Sequence, residues 1–288
     1  MNKRIGILAS GGLGESVLRS LPVHPAWIAT DSASAGIIAF AESAGIPLFK
    51  GNPRKGRLAA FLAEHPADLL LSVNYLFLLE EDVLQQVRDR INFHGSLLPK
   101  YRGRTPHVWA IINNETQAGI TAHLMETGCD TGDIVLQEVV PIGEEDTGAD
   151  LLRAYAERYP HLVNRAVEMW MEGTLARSPQ DHEKASFFGK RSPEDGGINW
   201  NWQRERIRNW VRAQAEPYPG AFTFAGEHKV IIDRVAYSDA GFSWDMPNGL
   251  VLGTGPNPLI KTTNGALELV SVRSGLEQLQ PGLVLHSI

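Results

Sequence analysis

Short apolar runs alternate with amphipathic stretches through the first half of the chain, the pattern of a parallel sheet covered by helices. Residues 4–9 predict a first strand, 13–21 a helix and 26–30 a second strand. Residues 35–44 read as a helix closed by Gly45, a natural residue for a helix end. Another helix is expected at 57–64, stopping near Pro66. Leu69-Leu70-Leu71-Ser72-Val73 scarcely alternates, which marks a strand buried on both faces. A short helix follows at 81–87 and a short strand at 91–94. Residues 119–125 and 134–140 read as neighbouring strands across a turn. The stretch 147–172 is a long helix, with Leu151, Tyr155, Leu162 and Ala166 at helical spacing.

After that helix the rhythm changes. Residues 174–190 show no period and contain Pro179, so they read as a linker crossing the surface. A helix at 202–213 then gives way to short alternating segments at 221–224, 230–236, 250–252 and 266–272, broken by Gly, Pro and Asn. The expected fold is therefore α/β: a Rossmann-like, mostly parallel sheet with helices on both faces, plus a small C-terminal β-rich, OB-like domain. The expected division is 1–175 for the first domain, 176–190 for the linker and 191–288 for the second.

Composition adds bounds to this picture. A chain of 288 residues, 43% hydrophobic and 21% charged, can bury a large core without disulfide staples. Cys129 is its single cysteine, so no internal disulfide forms, which fits a reducing compartment. The opening Met1-Asn2-Lys3-Arg4 leads into an apolar run of only five residues, Ile5 to Ala9, too short for a signal-peptide core. No apolar stretch reaches the length of a membrane span. The expectation is a soluble, cytoplasmic protein. Its formal net charge of −6 counts against nucleic acid, because phosphate contacts supply most of the affinity for it. A local basic patch could still survive that balance.

Two segments carry candidate chemistry. Gly11, Gly12 and Gly14 follow the first strand, but Val17 stands where a dinucleotide fingerprint needs its third glycine. They read as a tight strand-to-helix turn, with a phosphate site at the helix start as the other reading. The second segment runs from Ile91 to Arg104. Asn92 and His94 stand two apart on a strand, so both side chains point to one face. Gly95 then lets the backbone turn or approach a ligand. The C-terminal end of a strand in an open α/β sheet is where ligands bind. Taken alone, Asn92 and His94 read first as a buried pair satisfying the backbone of a loop. None of the nine histidines shows metal-ligand spacing such as H-E-x-x-H, and no metal is expected. His123, on the strand leading to Asp130, reads as a packed strand histidine within reach of a pocket.

The run Asn92-x-His94-Gly95-Ser96-Leu97-Leu98-Pro99-x-Tyr101-Arg102-Gly103 resembles the signature of the folate-dependent formyltransferases. A second element, Gly119 to His123 followed by Asp130-Thr131-Gly132-Asp133-Ile134, resembles the same family. Phe188 to Gly196 and Pro217 to Phe222 look like the second domain of methionyl-tRNA and nucleotide-sugar formyltransferases. The likeness thus spans nearly the whole chain. It implies 10-formyltetrahydrofolate as formyl donor and a primary amine as acceptor. Because that amine is itself the nucleophile, no Ser or Cys nucleophile is required, and no G-x-S-x-G elbow is present.

The resemblance also assigns roles. Asn92 would donate to the developing oxyanion, His94 would handle the amine's proton and Asp130 would orient the imidazole. On the same ground the pterin is expected against Phe77, Leu78 and Leu79, under the loop Glu126-Thr127-Gly128-Cys129-Asp130, with Arg104 lining the site. Plain core packing remains the other reading of 77–79, and Cys129 reads as inert. Ser96, Lys100 and Arg102 are expected on the acceptor, the cations together with Arg104 near its diphosphate; a solvated loop is the alternative.

The acceptor follows from charge and likeness together. In methionyl-tRNA formyltransferases the loop after the second strand is long and basic. Here Thr30-Asp31-Ser32-Ala33-Ser34-Ala35-Gly36 contains no Lys or Arg. The runs 94–104 and 188–196 look closest to the enzymes that formylate aminoarabinose nucleotides. The reading is therefore a nucleotide-linked 4-amino-4-deoxy sugar, with a place in lipopolysaccharide or O-antigen biosynthesis. Met-tRNA and a small amine such as hydroxyornithine are the alternatives, with a non-catalytic folate- or dinucleotide-binding module as the non-enzyme reading. A homodimer is compatible with all of these.

Overall fold

The computed structural model describes residues 3–288, so Met1 and Asn2, where the expected first domain begins, lie outside the described residues. In chain order the first elements are β1 (Ile5–Ala9), α1 (Gly11–Ser20), β2 (Trp27–Thr30), α2 (Ala35–Ser43), β3 (Leu48–Lys50) and α3 (Arg57–Glu64). Then come β4 (Leu69–Val73), α4 (Glu81–Gln86), β5 (Asp89–His94), β6 (Arg102–Gly103) and α5 (Pro106–Ile112). These are followed by β7 (Gln117–Leu124), β8 (Ile134–Pro141), α6 (Gly148–Glu172), β9 (Phe187–Phe188) and α7 (Arg204–Gln214). The last strands are β10 (Ala221–Ala225), β11 (His228–Ser238), β12 (Val251–Gly253), β13 (Leu259–Thr262) and β14 (Gly265–Ser274).

The chain forms two compact units. One is built from the chain up to Gly103, from Ala118–Val140 and from Arg153–Phe188. Its sheet has the strand order β3-β2-β1-β4-β5-β7-β8. The first five of these pair in parallel, and β7 runs antiparallel to β5. The mostly parallel sheet expected from the sequence is therefore present, with the antiparallel β7 next to the edge strand β8. Leu69, Leu70 and Leu71 of β4 are fully buried, as the lack of alternation predicts. Each such side chain contributes about 1.5–3 kcal/mol on burial. Trp27 of β2 is also fully buried, where Phe61 of α3 meets its ring edge-on at 5.9 Å.

The other unit gathers Arg104–Gln117, Pro141–Leu152 and Gly189–Ile288. It is organised by an antiparallel sheet in the order β10-β11-β14-β13-β12. Helix α7 packs on it and buries Ile207, Trp210 and Val211. Arg191 stacks on Trp210 and Trp109, at 4.4 and 5.0 Å from the ring centres. Among the described residues no helix is long and apolar enough to cross a membrane.

Candidate active site

The site in the first unit grows out of the β5–β7 register. Asn92 lies opposite His123, and His94 opposite Thr121. Directly opposed residues on one face of an antiparallel pair touch, so the strand that carries Asn92 and His94 meets a second histidine by geometry alone. The loop after β5 is braced from both sides. Thr121 Oγ1 donates to the Ser96 carbonyl at 2.6 Å, and Gln137 Nε2 donates to the Leu98 carbonyl at 2.9 Å. Tyr155 of α6 donates from its hydroxyl to the Gly95 carbonyl at 2.8 Å.

Asp130 reaches this face from the turn between β7 and β8. Its Oδ2 lies 3.6 Å from His94 Nδ1 and its Oδ1 3.5 Å from His123 Nε2. The Gly103 N–H donates to Oδ2 at 2.9 Å. Asp130 itself has φ 55°, a left-handed conformation that aspartate tolerates better than most residues. Gly132 closes the turn where a Cβ would stand 2.1 Å from the Leu124 carbonyl oxygen, so no side chain fits.

Hydrogen bonding fixes which ring nitrogens carry protons. His94 Nε2 faces the Tyr101 carbonyl at 2.8 Å, and a carbonyl only accepts, so Nε2 bears the hydrogen. In the neutral ring Nδ1 is then the bare, basic nitrogen, and it points at Asp130. His123 Nδ1 faces the Leu124 carbonyl at 2.8 Å, so it too is protonated. With the hydrogen on Nδ1, His123 Nε2 accepts from the Asn92 amide nitrogen at 3.0 Å. That contact settles the orientation of the Asn92 amide and leaves its second N–H unused by His123.

Charge follows the same geometry. Burial pushes the His94 imidazole below its ordinary pKa, against the upward pull of the Asp130 carboxylate and the Tyr101 carbonyl. His94 is therefore neutral and basic near pH 7. Burial alone would raise Asp130, but the adjoining His123 and His94 rings and the Gly103 N–H outweigh it. The carboxyl lies well below the usual range and is ionised. A buried base beside a fixed carboxylate can accept a proton and have the resulting cation stabilised.

The remaining expected residues are distributed as follows. Phe77 and Leu79 are half-buried, Leu79 packing on the core beside α3 and α4, while Leu78 is 61% exposed. Phe77 meets Tyr75 at 5.5 Å. Glu126, Thr127, Gly128 and Cys129 form an exposed stretch before Asp130, with Cys129 Sγ 3.3 Å from Asp130 Oδ2. Lys100 is exposed. Ser96 and Arg102, expected on the acceptor, are turned inward instead, at 3% and 2% exposure. Ser96 Oγ donates to the Lys100 carbonyl at 2.7 Å, and Arg102 Nη2 donates to Gln180 Oε1 at 2.6 Å. Both brace the loop. Arg104 falls in the second unit and is exposed there.

Two members of the cluster were not assigned to the site from sequence. His123, expected as a packed strand residue, is packed at 2% exposure and also touches Asn92 and Asp130. Its place on the strand leading to Asp130 was a signal, but the register that sets it opposite Asn92 is a non-local pairing. Gln180 had no such signal, because it sits in the aperiodic stretch 174–190.

The chain is also similar to known proteins over most of its length. The family described as Formyl transferase matches residues 24–167, and Formyl transferase, C-terminal domain, matches 190–281. Among solved structures, WlaRD, a sugar 3N-formyl transferase determined in the presence of dTDP and 5-N-formyl-THF, superposes with a TM-score of 0.76 at 18% identity, covering 96% of this chain and 99% of that one. The N-formyltransferase from Helicobacter canadensis, in complex with folinic acid and dTDP-3-aminofucose, gives 0.72 at 19% identity, covering 94% and 99%. Methionyl-tRNA formyltransferase from Clostridium thermocellum gives 0.59 at 16%, covering 83% and 95%. Such identities speak for a shared fold. The matches to both domains, across most of the sequence, show that this chain belongs to the formyl transferase family.

Proposed function

We propose that the protein moves a formyl group from 10-formyltetrahydrofolate to the primary amine of a nucleotide-linked amino sugar. The observation that carries the chemistry is the meeting of Asn92, His94 and Asp130 on one face at the end of β5. The donor supplies an activated formyl carbon. The free N–H of Asn92 is the donor available to the oxyanion that develops when the amine attacks. Nδ1 of His94 takes the proton that the amine must lose as its new C–N bond forms. The same nitrogen returns that proton to the folate nitrogen as the old C–N bond breaks. Asp130, ionised and 3.6 Å away, stabilises the imidazolium between those steps. His123 holds the Asn92 amide in the orientation that leaves this N–H free.

The segment after β4 fits a flat heterocycle: Leu78 is 61% exposed and Phe77 only half-buried, which leaves an apolar surface. Support for a sugar acceptor is electrostatic. Residues 30–36 carry no Lys or Arg, and Asp31 is buried there with its carboxylate accepting from Ser34 and Ala33. The net charge of −6 removes the general attraction that tRNA binding draws on. WlaRD is described as a sugar 3N-formyl transferase and the Helicobacter canadensis protein was solved with dTDP-3-aminofucose, so 3- and 4-amino sugars both belong in the test. A cytoplasmic reaction is consistent with the proposed donor and with Cys129 being the single cysteine. We also retain residues 1–175 as the catalytic domain and 191–288 as a second, formyltransferase-like domain joined through 176–190.

The test is release of tetrahydrofolate with dTDP-, UDP- and GDP-linked 3- and 4-amino sugars, run beside methionyl-tRNA. At least one sugar nucleotide should turn over and the tRNA should not. Efficient turnover of the tRNA with an inert panel would replace the acceptor and leave the formyl chemistry in place.

A further inference from the structure

Gln180 lies in the stretch 174–190, yet it is only 5% exposed. Every polar group of its amide is engaged. Oε1 accepts from Arg102 Nη2 at 2.6 Å, while Nε2 donates to the Asp130 carbonyl at 2.9 Å and the Gly132 carbonyl at 2.6 Å. Arg102 is itself buried; its Nη2 also meets His182 Nδ1 at 3.0 Å, and its Nε has no partner. A guanidinium held in such surroundings polarises the amide it donates to, which strengthens the bonds that the amide makes onward.

Those onward bonds end on the turn that presents Asp130. That turn needs holding, since Asp130 occupies a left-handed backbone conformation at φ 55°, which persists only when neighbouring structure enforces it. Two adjacent residues do so from opposite ends. The Gly103 N–H holds the carboxylate at 2.9 Å, and the Arg102 side chain, through Gln180, holds the backbone carbonyl. Strand β6 itself is kept in place by pairing with β9, which follows Gln180 in the same segment. A stretch that reads as a surface linker thus closes a loop of contacts around the carboxylate.

We infer that Gln180 is a positioning residue for formyl transfer, whose amide, tied to Arg102, sets the Asp130 turn so that the carboxylate faces His94. The inference rests on reading Asp130 and His94 as the reacting pair, and its test is built to fail separately from that reading. The charged and titratable groups facing His94 are Asp130, His123 and Arg102. Of these Asp130 raises the imidazole's pKa, so misplacing it lowers that pKa. A carboxylate at contact distance shifts its neighbour by about one to three units.

The variants are Gln180→Met, which keeps the length and loses the hydrogen bonds, and Gln180→Asn, which stays polar and falls one methylene short. Titration of the His94 imidazole by NMR, assigned by its loss in His94→Asn, is the primary readout. In whichever variant folds, the His94 titration should move to lower pH by about half a unit or more. With an acceptor in hand, kcat should fall about 10-fold or more while KM for donor and acceptor stays within about threefold. A purely structural role would lower Tm and leave the His94 titration in place, and that result would overturn the inference. A shifted titration with unchanged kcat would leave the positioning intact and instead remove Asp130 from the mechanism.

Discussion

The proposed role of His94 as base rests on the opposite tasks that its neighbours assign to its two nitrogens. The Tyr101 carbonyl takes the Nε2 hydrogen and Asp130 stands beyond Nδ1, so the lone pair and its counter-charge are on the same side. The carboxylate is also what opposes the downward push of burial on the imidazole. Asp130→Asn should therefore act in two ways. With the counter-charge gone, the imidazolium loses stabilisation, and kcat should fall about 100-fold, within the range of acid–base contributions. The sign of the pH effect is fixed as well. A lost carboxylate lowers the His94 pKa further, so the base form persists to more acidic solution. The acid limb of the kcat/KM profile should move to lower pH. A limb that stayed in place, or moved upward, would show that Asp130 does not charge-stabilise His94.

Strands β5, β6, β7 and β9 together determine where these side chains stand. Gly103 links them: it has φ +99°, and a Cβ there would lie 2.3 Å from the Phe188 carbonyl oxygen of β9. Gly103→Ala should cost about 1–3 kcal/mol for the forced backbone conformation, more if β9 cannot yield. Because the Gly103 N–H also donates to Asp130, kcat should drop beyond any loss of Tm. Thermal unfolding and kinetics on one preparation check both, and an unperturbed kcat would detach β6 from the site. The β5 strand, its Asn92 and His94, and the parallel strands β1, β2 and β4 were legible in the sequence, because apolar runs and two-residue alternation are local signals; the three-residue β3 was too short to show either. Helix α5 was not anticipated: Pro106 at its start reads equally as a turn, and its apolar run Val108 to Ile112 has no polar face to set a period. Strands β6 and β9 have only two residues each, below what alternation can reveal. The tasks of Arg102 and Gln180 depend on contacts across 78 residues of sequence, which no local pattern carries.

Membership of the formyl transferase family settles the reaction class more firmly than the partner amine, since one fold hosts acceptors as different as a sugar nucleotide and a charged tRNA. The proposed preference for the sugar nucleotide rests on the field of the chain: a net −6, and no cation in residues 30–36. The central claim is that a formyl carbon passes from folate to an amino sugar under the care of His94 and Asn92. The most direct measurement is to load the donor with a ¹³C-formyl group, add the sugar nucleotide that turns over, and follow the label by NMR. For the native protein the label should appear in the formamide of the sugar. His94→Ala and Asn92→Ala should each deliver it about 100-fold more slowly or worse. Label recovered as free formate, or delivered to the sugar at an undiminished rate by either variant, would contradict the account.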